Sequence, residues 1–157
     1  MDNTRGEVLA IDPGNKDSAY VFMDKQFLQP LQFGILENEK VLKLAEKLNH
    51  NDILAVEMVA SYGMPVGESV FETVFWIGQF WKAGENAGER VKVYRKDVKM
   101  KLCQSMKAKD SNIRQSLIDR FGVVGTKKQP GWFYGFKKDI WQAYAVGVTY
   151  LDWRGRK

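Results

Sequence analysis

The first apolar run, Val8-Leu9-Ala10-Ile11, is uninterrupted and stops at Asp12-Pro13-Gly14. A short run without polar alternation, closed by turn residues, predicts a strand buried on both faces. Ala19-Tyr20-Val21-Phe22-Met23 predicts a second strand and Gln26 to Leu36 a third, with Pro30 at an edge or a bend. Together they predict an antiparallel meander. Val41, Leu42, Leu44, Ala45 and Leu48 recur at helical spacing, so residues 39–49 predict an amphipathic helix. Ile53-Leu54-Ala55-Val56 is a second buried-strand run, and it ends on Glu57. Residues 67–83 read as a helix apolar on more than one face, through Val70, Phe71, Val74, Phe75, Ile77, Phe80 and Trp81. Such a helix is either central or lies at a subunit contact. Val91-Lys92-Val93-Tyr94 predicts a fifth strand. Helices near 95–104 and 110–121 follow, the second capped by Asp110 or Ser111. Residues 122–136 read as a loop, and a last helix is expected from Lys138 to Trp153.

This order predicts an α/β fold with a mixed five-stranded sheet: a three-strand antiparallel meander joined to parallel strands and flanked by helices. The whole chain, 1–157, reads as a single domain. Hydrophobic residues make up 45% and charged residues 27%, a globular balance. No apolar run approaches the roughly 20 residues that cross a bilayer, and the opening Met1-Asp2-Asn3-Thr4-Arg5 has no signal-peptide form. Cys103 is the only cysteine, read as a half-buried helix residue, which excludes an internal disulfide and a cysteine zinc cluster. A cytoplasmic location without membrane association is the expectation. His50 is the only histidine and sits in the turn-like Asn49-His50-Asn51-Asp52, so histidine-based catalysis has little support.

Charge changes the picture. Residues 1–89 hold 7 basic and 14 acidic residues, whereas residues 90–157 hold 17 and 5, a local excess of +12 within a net charge of +5. A basic half points to a polyanionic partner, nucleic acid being the commonest, although a solvated Lys-rich surface gives the same count. Two acids, Asp12 and Glu57, end apolar strands, and a third, Asp139, opens the last helix. Carboxylates gathered beyond strand ends repel one another, and a hard cation such as Mg²⁺ or Mn²⁺ relieves that repulsion. Two such ions can clamp the attacking and leaving oxygens of a phosphodiester. Taken singly, Asp12 is equally a turn residue and Asp139 equally a helix-dipole acid. Glu57 is harder to explain away, because its strand is otherwise apolar.

Ile11-Asp12-Pro13-Gly14 followed by Ser18-Ala19-Tyr20 resembles the first motif of the RuvC Holliday junction resolvases, ribonuclease-H-like nucleases. Ala55-Val56-Glu57-Met58-Val59 resembles their second motif, and Asp139-Ile140-Trp141-Gln142-Ala143-Tyr144-Ala145 their last. Val93-Tyr94-Arg95-Lys96-Asp97-Val98-Lys99 and Ser111-Asn112-Ile113-Arg114-Gln115 resemble the strand and basic helices between. The similarity spans nearly the whole chain in order, and the short phage-encoded members are the most alike. The resemblance implies a ribonuclease-H-like fold. It implies catalytic and metal-holding roles for Asp12, Glu57 and Asp139, with Mg²⁺ or Mn²⁺ as cofactor. It also implies structure-selective cutting of DNA four-way junctions, and a homodimer through helix 67–83 offers two symmetric sites. Phosphate contacts are implied for Lys96, Lys99, Lys101, Lys107, Lys109 and Arg114, and Tyr62 stands closest to the family's stacking aromatic. One departure is plain: Gln142 stands where the family carries an aspartate, and would be a neutral ligand. Glu68 and Glu72 are candidates to compensate, or simply a solvated helix face. Lys127-Lys128 and Lys137-Lys138 flank the aromatic Trp132-Phe133-Tyr134, either a stacking surface or a packed lid.

Other readings follow from the same residues. Asp-Pro-Gly after a strand also resembles the first phosphate motif of actin-like and sugar-kinase ATPases, but the second domain and second glycine-rich motif they need have no room here. A nuclease acting on other branched or single-stranded nucleic acid, RNA included, and a non-catalytic nucleic-acid-binding relative motivated by Gln142, both stay open.

Overall fold

The computed structural model describes residues 5–155. The first four residues, on which the signal-peptide reading rested, lie outside the described residues. β1 (Glu7–Asp12), β2 (Asp17–Asp24) and β3 (Pro30–Glu37) are followed by α1 (Asn38–Glu46), β4 (Ile53–Met58), α2 (Glu68–Ala83), β5 (Glu89–Tyr94), α3 (Arg95–Cys103), α4 (Asp110–Phe121) and α5 (Ile140–Arg154). The strands form one sheet in the order β3-β2-β1-β4-β5. β1 pairs antiparallel with β2, and β2 with β3, while β1-β4 and β4-β5 are parallel. This is the mixed sheet that the apolar runs predict.

β1 and β4 are continuous apolar runs because both of their faces are covered. Val8, Ala10, Ile53 and Ala55 belong to one core with α5, α3 and α4, and Leu9, Ile11, Leu54 and Val56 to a second core with α1 and α2. α5 is buried from Ile140 to Thr149 without a break, so its amphipathic signal is weak and its packing decides its place. Gly147 lets it approach closely: a Cβ there would meet the Met23 sulfur at 2.4 Å. α2 buries Ile77 and Phe80 and leaves Phe71, Val74 and Phe75 exposed. Its second apolar face is therefore unpartnered in the single chain.

Several boundaries move. The third strand starts at Pro30 because Asp24 accepts hydrogen bonds from the Gln26 and Phe27 N–H groups and folds residues 24–29 into a turn. α1 ends at Glu46, short of 49, since Asp52 accepts from the Asn49 N–H and begins the turn that holds His50. α4 is capped by Lys109, one residue earlier than expected, with Asn112 Oδ1 accepting from the Lys109 N–H at 2.9 Å and Asp110 inside the first turn. α5 begins at Ile140, as Asp139 occupies the cap. Cys103 is half-buried at the end of α3. The segment around Trp132-Phe133-Tyr134 is a packed lid. Phe133 is fully buried against Phe121, Phe136, Trp141 and Tyr144, and Trp132 stacks on Phe121 at 5.4 Å. Only Tyr134 of the three faces solvent. Among the described residues, no helix is long and apolar enough to cross a membrane.

Candidate active site

Register brings the first two acids together. Ile11 stands opposite Val56 across the parallel β1-β4 pair, so Asp12 and Glu57 emerge side by side at the carboxyl ends of these strands. Side chains alternate along a strand, which places both acids on the face of Ala10 and Ala55, the face covered by α5. The turn after Asp12 is held rigid by a buried polar knot. Ser18 Oγ donates to Asn38 Oδ1 at 2.6 Å, Asn38 Nδ2 donates to the Gly14 carbonyl at 2.9 Å, and the Gly14 N–H donates back to Ser18 Oγ at 3.1 Å. Asn38, the first residue of α1, thus ties the site loop to a helix.

The Asp12 and Glu57 carboxyls are hydrogen-bonded to each other. Burial, then the charge of Glu57, the hydrogen bond to it and the charge of Asp139, push Asp12 up to about 9, against the opposing charge of Arg95. Burial also raises Glu57, and Asp139 adds to it, while the hydrogen bond from Asp12 and the charge of Arg95 pull the other way. One hydrogen bond that raises Asp12 and lowers Glu57 has its proton on Asp12. Without a cation, then, burial and repulsion make Asp12 retain its proton at neutral pH.

Asp139 caps α5 but makes no side-chain capping hydrogen bond. It is exposed, and its charge reaches both Asp12 and Glu57. The residue before it, Lys138, is left-handed at φ 48°, a conformation costly for a side-chain-bearing residue. Gln142, one turn into α5, is 6% exposed and turns its Oε1 to the Arg95 guanidinium. Arg95 also lies 3.8 Å from Glu57 Oε1 and forms an ion pair with Asp110. The sequence pattern assigns Arg95 no role. The available signal was its place as the first residue after β5, whose partner β4 carries Glu57.

Glu57, Arg95, Lys96, Lys99, Tyr62 and Met106 share the lining of a cavity of about 460 Å³ at the same sheet end. Tyr62 is exposed and left-handed at φ 51°, within the 61–67 loop. The other basic residues are not gathered there. Lys101 Nζ is buried without a hydrogen-bond partner. Lys107 lines a larger cavity, about 670 Å³, which holds none of the three acids. Lys109 is exposed at the start of α4, and Arg114 lies 5.4 Å over the Trp141 ring. Trp141 itself is core. Glu68 and Glu72 are exposed on α2, and neither contributes to the charge environment of Asp12 or Glu57.

No protein-family signature matches this chain, and no curated protein sequence matches it. Solved structures do. Thermus thermophilus RuvC superposes with a TM-score of 0.66 at 16% identity, covering 96% of each chain. The chain has the RuvC fold. The same enzyme in complex with a Holliday junction substrate superposes at 0.65 and 16% identity over 94% of each chain. The yeast mitochondrial Holliday junction resolvase Ydc2 gives 0.60 at 12% identity, covering 97% of this chain and 82% of that one. This RuvC-like, ribonuclease-H-like architecture is the one implied by the order of motifs in the sequence.

Proposed function

We propose that this protein is a divalent-metal-dependent endonuclease that cuts four-way DNA junctions. The observation that carries the reading is the buried, hydrogen-bonded Asp12–Glu57 pair, with Asp139 in electrostatic reach, on a fold shared with junction resolvases. The pair fits a hard cation. Its oxygens are hard donors, and in the cation's absence it must keep a proton to relieve burial and repulsion. Among the described residues, no three acidic, histidine or cysteine side chains form a ready-made metal cage. Mg²⁺ is commonly held by one or two carboxylates and completed by water and phosphate oxygens. Asp12 and Glu57 would hold the ion, with Asp139 contributing charge from the helix end. An ion held there would supply charge stabilisation to the phosphodiester and would acidify a water.

The chain's own groups do the rest. Lys96 and Lys99 line the same cavity as Glu57 and offer ammonium donors to the phosphates on either side of the cut. Tyr62 offers an exposed ring against which a base at the branch can stack. The exposed Phe71, Val74 and Phe75 face of α2 supports a two-fold homodimer that presents two such sites to one junction. One observation favours a second reading, a junction-binding protein without cleavage: Gln142 is engaged by Arg95 and is not free as a ligand.

A nicking assay on four-way junction, duplex and single-stranded substrates, with Mg²⁺, with Mn²⁺ and with chelator, separates these readings. Paired, metal-dependent cuts in the junction are expected. Glu57→Gln should abolish cleavage and leave junction binding intact. Full activity in Glu57→Gln overturns the site, and tight junction binding without cleavage under any metal selects the second reading.

A further inference from the structure

Arg95 opens α3, directly after β5, and its guanidinium reaches back into the acidic cluster. It donates to Gln142 Oε1, lies 3.8 Å from Glu57 Oε1, and pairs at its outer edge with Asp110. Arginine has donors only, so the buried amide must present its oxygen to it. That oxygen is thereby taken, and the space between Glu57 and Gln142 is filled by a fixed positive group. Two divalent ions in one site would stand roughly 3.5–4 Å apart. Here Arg95, a cation of the protein's own, already occupies the Gln142 side of Glu57, where a second ion would need carboxylate or amide oxygens free to bind it.

We propose that Arg95, seated on Gln142, serves as the built-in second cation of this site, so that each chain holds one divalent ion and not two. This rests on the metal-site reading above. The charges support it. Asp12, Glu57 and Asp139 are formally three negative charges; with Lys96 and Lys99 assigned above to the DNA phosphates, Arg95 leaves a balance of two, which one divalent ion neutralises. Asp110 pairs with Arg95 from the outer side, and its side chain is 63% exposed, where water screens it. An aspartate at position 142 would add a fourth charge to the cluster and call for a second ion. The neutral Gln142 does not, and it orients the guanidinium by hydrogen bonding. Arg95 therefore acts as a positioning and charge-balancing residue between Glu57 and Gln142.

The test counts ions. The full chain is titrated with Mn²⁺, and free Mn²⁺ is followed by electron paramagnetic resonance, without DNA and with an uncleaved four-way junction bound. One Mn²⁺ per chain is expected in both cases. The double substitution Arg95→Ala with Gln142→Asp should bind two and give the broadened spectrum of a spin-coupled pair. Arg95→Gln alone should bind its single Mn²⁺ about tenfold more tightly, because a like charge beside the ion is gone. Arg95→Lys, which keeps the charge, should restore the wild-type affinity, a recovery that a purely structural role would not produce. Two Mn²⁺ in the wild type overturn the proposal and leave the metal site standing. No Mn²⁺ in the wild type overturns the metal site and this proposal with it. The wild-type count decides even if the double variant fails to fold.

Discussion

Asp12→Asn should make the metal-free protein more stable while destroying its function. The Asp12 carboxyl has an ordinary value of 3.8 and is held at about 9 in the fold, first by burial and then by Glu57. A group raised in the folded state contributes stability that is complete below its unfolded value and is lost as pH rises through the folded one. Between about pH 4 and pH 9 the unfolded chain ionises Asp12 and the folded chain does not. Each pH unit in that window costs about 1.36 kcal/mol in the ideal limit. From about pH 4 to pH 7 the ideal loss is about 4 kcal/mol, and water at the partly open site brings the expected figure to about 2–4 kcal/mol. Asparagine has nothing to ionise and can still donate to the Glu57 carboxylate. At pH 7 in chelator it should therefore unfold roughly 5–15 °C higher than the wild type. Circular-dichroism melts at pH 5, 7 and 9 read this directly. The gap should widen from pH 5 to pH 9, and Mn²⁺ should raise the wild-type melting temperature far more than that of the variant. A variant no more stable than the wild type at pH 7, or a gap that narrows with pH, would refute the shared-proton pair.

Three further outcomes check other parts of the structure. Phe75→Asp, on the exposed face of α2, should convert a dimer to monomer in sedimentation and uncouple the two cuts of a junction, with the melting temperature little changed. Lys99→Ala, at the cavity beside Glu57, should weaken junction binding across sequences and flatten the salt slope by roughly one unit. Lys101→Ala, whose Nζ is buried, should leave that slope unchanged, as read in salt titrations. Gly147→Ala places a Cβ 2.4 Å from the Met23 sulfur and 3.2 Å from Ala10 Cβ, and should cost about 1–3 kcal/mol in urea unfolding. Met23→Ala in the same chain should cost less than it does in the wild type, a coupling read by the double-mutant cycle.

The strand-terminal acids were legible in the sequence because local patterns encode them. An uninterrupted apolar run that ends on Asp12 or Glu57 and is bounded by turn residues reads as a doubly covered strand carrying its acid out of the core. The two-faced apolar pattern of α2 announced a surface that the single chain does not bury. The basic excess after residue 89 belongs to composition and needs no structure. Register was not legible: that Asp12 and Glu57 emerge side by side follows from Ile11 pairing with Val56, 45 residues apart in the chain. Nor was Arg95, whose partner Gln142 lies 47 residues away, nor the burial of Lys101 Nζ, a lysine like its neighbours in sequence. The aromatic loop read equally as a stacking surface or a lid until Phe133 was found packed against α5. Local pattern fixes which residues leave the core and at which end of an element. Which of them meet depends on contacts between distant segments, and those are set by how the sheet and its covering helices close-pack.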